Sequence, residues 1–264
     1  MGELIFIGLG LYDELGLSLR GQTEARACDY VFAEFYTNIM PGLNLDDLAR
    51  MIAKPVVVLS RRDVEEDAEV KILSKAKSGR VAFLVAGDPM AATTHIDLRL
   101  RAERAGIPTR IVHGASIATA AAGVTGLQSY KFGRTVTVPV SKDNQLPESV
   151  YAALKANANA GLHSLVLLEI DVEANRWVTI AQALDQLLSF ALQVKEPLIR
   201  PETLAIGLAR LEAPDMIVRA STVSDLMALD FGRPPYCLIF PGRLHFVEAE
   251  ALQIFCRAST ELVG

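Results

Sequence analysis

No stretch of this chain stays apolar for the length a bilayer crossing requires, although 51% of its 264 residues are hydrophobic. The opening "MGELIFIGLGLYDE" meets an acid at Glu3 and carries no basic leader region, so neither a secretory signal nor a membrane anchor is expected. Cysteine is scarce: Cys28, Cys237 and Cys256 are far apart, form no C-x-x-C pair and are odd in number. That excludes a disulfide framework, suits a reducing cytoplasm and reads as three small core residues. An excess of positive charge is also missing, with 26 Lys and Arg against 31 Asp and Glu and a net charge of −5. The balance lacks the clustered cations of a nucleic-acid footprint, though it leaves a local basic patch open. Metal-binding spacing is absent too. There is no H-E-x-x-H, and His95, His113, His163 and His245 are scattered, each reading as a surface or satisfied core histidine. Trp177, the only tryptophan, marks nothing by itself.

What is present is apolar and ordered. Charged residues make up 22% of the chain and mean hydropathy is +0.28, which argues against disorder and suits parallel strands covered on both faces. "LIFIG", "YVFAEF", "PVVVLS", "RVAFLVAG" and "PTRIVH" read as five strands. Between them lie helix-period stretches, among them "NLDDLARMIA" with Asn44 as N-cap and "DVEEDAEVKILSKAKSG" as one long helix ending on Gly79. Such alternation predicts right-handed βαβ crossovers and a mainly parallel sheet. After His113 the texture changes. "GASIATAAAGVTG" is a Gly/Ala-rich joint with a short helix, and "RTVTVPV" alternates like a half-buried strand. "SVYAALKANANAG" is a helix and "SLVLLEI" a buried strand, while "TLAIGLARL" and "MIVRAS", separated by "EAPD", predict an antiparallel hairpin. "SDLMALD" and "YCLIFPG" add a helix and a strand. The expectation is two α/β domains, 1–113 with a mainly parallel sheet and 114–264 with a mixed one, joined near Gly114.

Two stretches carry candidate chemistry. In "GLGLYDE" a glycine pair follows the first strand, as where backbone approaches a phosphate, but the dinucleotide fingerprint needs a third glycine where Asp13 stands. Its acidic partner would have to be Glu34. Gly87-Asp88-Pro89 ends the fourth strand. Asp is a good N-cap and Pro tolerates a first helical turn, so the trio can simply start the next helix. It can equally be a binding loop at the carboxyl end of a parallel strand, where open α/β sheets take ligands. The local pattern leaves both readings open. "GASIA" is no nucleophile elbow, since Ala118 replaces the final glycine. "RRDVEEDAE" is a solvated helix start, its acids near the positive end of the helix dipole.

Taken together, "FIGLGLYDE", "CDYVFAEFYT", "GDPMAATTH", "GVTGLQSYKFG", "PPYCLIFPG" and "LHFVEAE" resemble, in order and spacing over nearly the whole chain, the diphthine synthases of the tetrapyrrole methylase superfamily. The glycine turn and the Gly-Asp-Pro loop are shared across the superfamily; "AEFYT", "ATTH" and "YKFG" are the more specific stretches. The resemblance implies two facing α/β domains with S-adenosylmethionine folded in the cleft between them. It implies cofactor contacts at Leu11, Asp88 and Ala91, then at Ser116 and Ile117 in "GASI", and from the second domain at Leu168, Leu211 and Tyr236. Tyr236 stands where relatives are expected to have histidine, and Leu211 where a smaller residue is expected.

The implied activity is transfer of methyl groups from S-adenosylmethionine, leaving S-adenosylhomocysteine, to the amine of an aminocarboxypropyl-modified histidine on translation elongation factor 2, in diphthamide biosynthesis. The sulfonium already activates the methyl, so alignment and exclusion of water carry the catalysis and no obligatory general base is expected. Asp88 is expected to orient the cationic cofactor. A homodimer in the cytoplasm, with no metal, nucleic acid or membrane, completes the expectation. A corrin or porphyrin methylase shares the fold and cofactor. The acidic balance disfavours a ribosomal-RNA ribose methylase, and an NAD-dependent dehydrogenase would need the fingerprint that Asp13 interrupts.

Overall fold

Leu4 to Ile7 and Val81 to Val85 are completely buried, and these two runs form the centre of a five-stranded sheet. The computed structural model describes residues 2–141, 143–195 and 197–264, in two units, Met1–Ile117 and Ala118–Gly264.

In the first unit the elements run β1 (Glu3–Gly8), α1 (Leu19–Ala27), β2 (Tyr30–Glu34), α2 (Leu45–Ile52), β3 (Val57–Leu59), α3 (Arg61–Glu65), α4 (Ser74–Ser78), β4 (Arg80–Val85), α5 (His95–Arg104) and β5 (Thr109–Val112). All five strands are parallel, in the order β3-β2-β4-β1-β5. Alternate residues of β1 serve opposite faces. Ile5 and Ile7 pack with Leu17, Ala25, Leu48 and Ile52 under α1 and α2. Leu4 and Phe6 pack with Val64, Ile72, Ala76, Leu98 and Ala102 under α3, α4 and α5. Both faces being covered explains the unbroken apolar strands. Asn44 caps α2 as expected, accepting the N–H groups of Asp46 and Asp47.

The single long helix expected over 63–79 is broken. After α3 the chain widens into a π turn, Glu69–Leu73, before α4, and Gly79 is extended (φ −135°), not left-handed. Ala68, Ile72, Leu73 and Ala76 reach the core across the wide turn, and Val70 stays outside.

An ion network joins the amino ends of the strands. Glu24 receives Arg80 at 2.9 Å and Arg110 at 2.8 Å, and the same arginines hold Glu3. Hydrogen bonds from Arg110 outweigh burial and bring Glu24 down to about 2.

In the second unit follow α6 (Ile117–Thr125, opening on the last residue of the first unit), β6 (Val136–Val138), α7 (Glu148–Asn159), β7 (Ser164–Leu168), β8 (Ile170–Asp171), β9 (Arg176–Trp177) and α8 (Ile180–Ala191). Then come β10 (Leu204–Ala209), β11 (Ile217–Thr222), α9 (Val223–Ala228), β12 (Tyr236–Phe240), α10 (Phe246–Cys256) and α11 (Thr260–Val263). The sheet order is β11-β10-β12-β7-β6, with β6 and β7 parallel and the other neighbours antiparallel. This is the expected mixed sheet, and β10 and β11 are the expected hairpin. One face packs on α7, α8 and α9 through Val166, Leu238, Leu154, Leu184 and Leu226. Helices α8 and α10 have no counterpart among the expected elements. Both open on capping boxes, Thr179 with Gln182 and His245 with Glu248.

The "YKFG" and "LHFVEAE" stretches meet in a buried polar cluster. Glu248 accepts hydrogen bonds from Lys131 Nζ, the Gln128 N–H at 2.9 Å, the His245 N–H at 2.8 Å and His163 Nε2 at 2.9 Å. His163 Nδ1 in turn accepts the N–H of Gly242 at 2.9 Å. Burial alone would raise Glu248, but these donors hold it at about 2. The three cysteines are free and buried, as expected.

Candidate functional site: the carboxyl ends of the strands

In the first unit, β1 sends its chain to α1 on one face of the sheet, while its neighbour β4 sends its chain to α5 on the other. Adjacent strands whose connections part in this way leave a crevice at their carboxyl ends, the usual ligand position in an open α/β sheet. The loop after β1 and the loop after β4 meet there. Gly87 N–H donates to the Gly10 carbonyl at 2.7 Å, and Gly10 N–H to the Gly87 carbonyl at 3.3 Å.

Gly-Asp-Pro does not start a helix. The next helix, α5, begins seven residues after Asp88 with Thr94 at its N-cap. Asp88 Oδ1 accepts the Met90 N–H at 2.9 Å, and Oδ2 lies 2.7 Å from Nδ1 of His113, an exposed imidazole just beyond β5. Gly87 has φ +73°, and a Cβ added there would find its nearest neighbour, the Ala115 carbonyl, 3.9 Å away. Gly87 is buried, and the added Cβ would make an ordinary van der Waals contact there. Gly8 is different: a Cβ on it would sit 2.5 Å from both Gly114 N and the Gly87 carbonyl oxygen, so the loops after β1, β4 and β5 are in backbone contact.

Of the expected site residues, Leu11, Asp88, Ala91, Ser116 and Ile117 all belong to these three loops or directly follow them. Leu11 is buried; Asp88, Ala91, Ser116 and Ile117 are partly so. Asp13, at the place of the missing glycine, caps a short 3-10 turn, Glu14–Gly16. Glu34 is wholly buried, its Oε2 accepting the N–H groups of Tyr36 and Thr37 and its Oε1 the Thr37 hydroxyl at 2.6 Å. It faces inward and is not a ribose ligand.

The other three expected residues share one end of the second sheet. Ala209 pairs with Tyr236, the β7–β12 register continues to bring Leu168 opposite Tyr236, and Leu211 follows two residues after Ala209. All three side chains are buried. The Tyr236 ring lies in the core, and its hydroxyl donates to the Gly232 carbonyl. Sequence reasoning passed over Arg210, which organises this end. Its buried guanidinium holds the carbonyls of Phe231 and Arg233 and both the side chain and carbonyl of Asp215. The available signal was an arginine inside an apolar strand end, "LARL".

Among the described residues no helix is long and apolar enough to cross a membrane, and no group of three His, Cys, Asp or Glu is arranged to hold a metal ion.

The fold and this loop set are those of a class of methyltransferases: residues 3–205 match the family model for tetrapyrrole (corrin/porphyrin) methylases. A diphthine synthase of Methanosphaera stadtmanae is 44% identical over 260 residues, covering 98% of each chain. That of Methanothermobacter thermautotrophicus is 44% identical over 249 residues, covering 94% of each. A crystal structure of a diphthine synthase superimposes with a TM-score of 0.88 at 35% identity, covering 98% of each chain. The chain belongs to the diphthine synthase family, and is an S-adenosylmethionine-dependent methyltransferase of diphthamide biosynthesis.

The residues present fit that cofactor. The loop after β4 offers a partly buried carboxylate to a cationic ligand at the carboxyl ends of the strands.

Proposed function

We propose that this enzyme methylates the amine of the aminocarboxypropyl-modified histidine of translation elongation factor 2. What carries the reading is the Gly87-Asp88 loop at the switch between β1 and β4, in a chain of diphthine synthase sequence. S-adenosylmethionine supplies the reactive methyl, already activated by its sulfonium. Residues 1–113 and 114–264 are the two functional domains. The first binds the cofactor through Leu11, Asp88 and Ala91, and the second through Ser116 and Ile117 at its start and through Leu168, Leu211 and Tyr236.

Asp88 orients the cation. Tyr236 contributes main chain, since its ring and hydroxyl are engaged internally. This makes tyrosine equivalent to histidine at that position. Leu11 and Ile117 exclude water, and no obligatory general base is required, because alignment and desolvation of a neutral amine suffice. The functional enzyme is a cytoplasmic homodimer acting on a protein, without nucleic acid.

The test is calorimetric titration with S-adenosylhomocysteine, with NADH as control ligand. Wild type binds the first and not the second, and Asp88→Asn weakens binding of S-adenosylmethionine itself, which carries the sulfonium charge, about tenfold, the loss of one charge-assisted contact. Unchanged affinity in Asp88→Asn would remove Asp88 from the site, and binding of NADH would revive the dehydrogenase reading.

A further inference from the structure

The two stretches most specific to the family in the first half of the chain, "AEFYT" and "ATTH", meet in the interior. Glu34 and His95 are both fully buried, with His95 Nε2 3.4 Å from Glu34 Oε1. The other ring nitrogen, Nδ1, is 3.2 Å from the Pro89 carbonyl, which also accepts the Thr93 hydroxyl at 3.1 Å. A carbonyl only accepts, so Nδ1 carries a hydrogen. Nε2 has no hydrogen-bond partner, and the edge of the imidazole packs against Phe83 at 5.2 Å. A carboxylate oxygen and a bare ring nitrogen cannot face each other in so dry a place unless a proton lies between them.

We propose that Glu34 and His95 are positioning residues for the Gly-Asp-Pro loop: a protonated Glu34 carboxyl facing His95 Nε2 keeps that nitrogen bare and the imidazole oriented so that its Nδ1–H holds the Pro89 carbonyl. The proton belongs to the carboxyl, making an uncharged acid–imidazole pair. Burial pushes Glu34 up against the opposing hydrogen bonds of Thr37 and Tyr36 and the charge of Arg61, and burial brings His95 down to about 4. With His113 on Asp88 and the His95–Thr93 pair on Pro89, the loop is held at two successive residues from opposite partners. This extends, and rests on, the reading of that loop as the cofactor site.

Two substitutions and one spectrum test it. Glu34→Gln keeps a neutral donor for Nε2; Glu34→Met removes it at similar volume. S-adenosylhomocysteine affinity stays near wild type in Glu34→Gln and falls about tenfold in Glu34→Met, with thermal melting of both recorded as a check on folding. An equal loss in Glu34→Gln would overturn the proposal, because an ionised carboxylate would then be the active form. Wild-type affinity in Glu34→Met would overturn it as well. Should Glu34→Met fail to fold, the 15N spectrum of the His95 ring in the wild-type enzyme decides. Hydrogen on Nδ1 alone at neutral pH supports the pair; hydrogen on Nε2 overturns it. That spectrum needs no cofactor, so the expected tautomer together with unchanged affinity in Asp88→Asn would sink the cofactor-loop reading and leave the pair standing.

Discussion

Gly87 is where backbone conformation and ligand space coincide. An alanine there must adopt φ +73°, costing about 1–2 kcal/mol of stability. Its methyl makes an ordinary contact, the nearest atom lying 3.9 Å away, so the fold survives. In the proposed site that methyl stands against the cofactor. Gly87→Ala therefore lowers S-adenosylhomocysteine affinity about tenfold while melting as a cooperative protein, read by titration and calorimetry on one sample. A mutant that binds normally would move the cofactor elsewhere. Residue by residue, the local pattern at Gly87-Asp88-Pro89 left a helix start and a binding loop equally open, and only the structure shows that no helix starts there. The partners His113 on Asp88 and Glu34 on His95 were not legible, since each pair joins residues from different crossovers. Single histidines say nothing until the sheet order brings neighbours to them.

At the scale of elements, the strands were legible from apolar runs, and the hairpin of β10 and β11 from its short connection. The break between α3 and α4 was not, because a π turn shifts the apolar period by one residue without glycine or proline to announce it. Helix α10 was obscured for a different reason. Phe246, Val247, Ile254 and Phe255 are exposed on it, so its apolar residues do not trace one buried stripe. What anchors it is Glu248 at its start. Lys131→Met leaves that buried carboxylate without its cation and should cost about 3–5 kcal/mol, read as a lower urea midpoint. A shift within error would mean that the backbone and histidine donors suffice.

For the whole molecule, two carboxyls, one in each unit, set the acid limit. Glu24 and Glu248 ordinarily titrate near 4.5 and are held at about 2 by Arg110 and Arg80 in one case, and by Lys131 and its companions against burial in the other. In that window the unfolded chain binds more protons than the folded one. Their stabilisation is thus complete above pH 4.5 and drains as pH falls through 2, which denaturation midpoints between those limits will trace. Flat midpoints would contradict the two networks. The cysteines add no redox sensitivity, since burial pushes Cys28 up to about 11 and Cys237 and Cys256 to about 12.

The central claim concerns the acceptor. The direct measurement is mass spectrometry of elongation factor 2 carrying the aminocarboxypropyl histidine, after incubation with this enzyme and S-adenosylmethionine. The account predicts methyl groups on the amine of that one side chain, with one S-adenosylhomocysteine released per methyl. An unmodified peptide from an enzyme that binds S-adenosylhomocysteine, or methyl groups elsewhere on the factor, would contradict it.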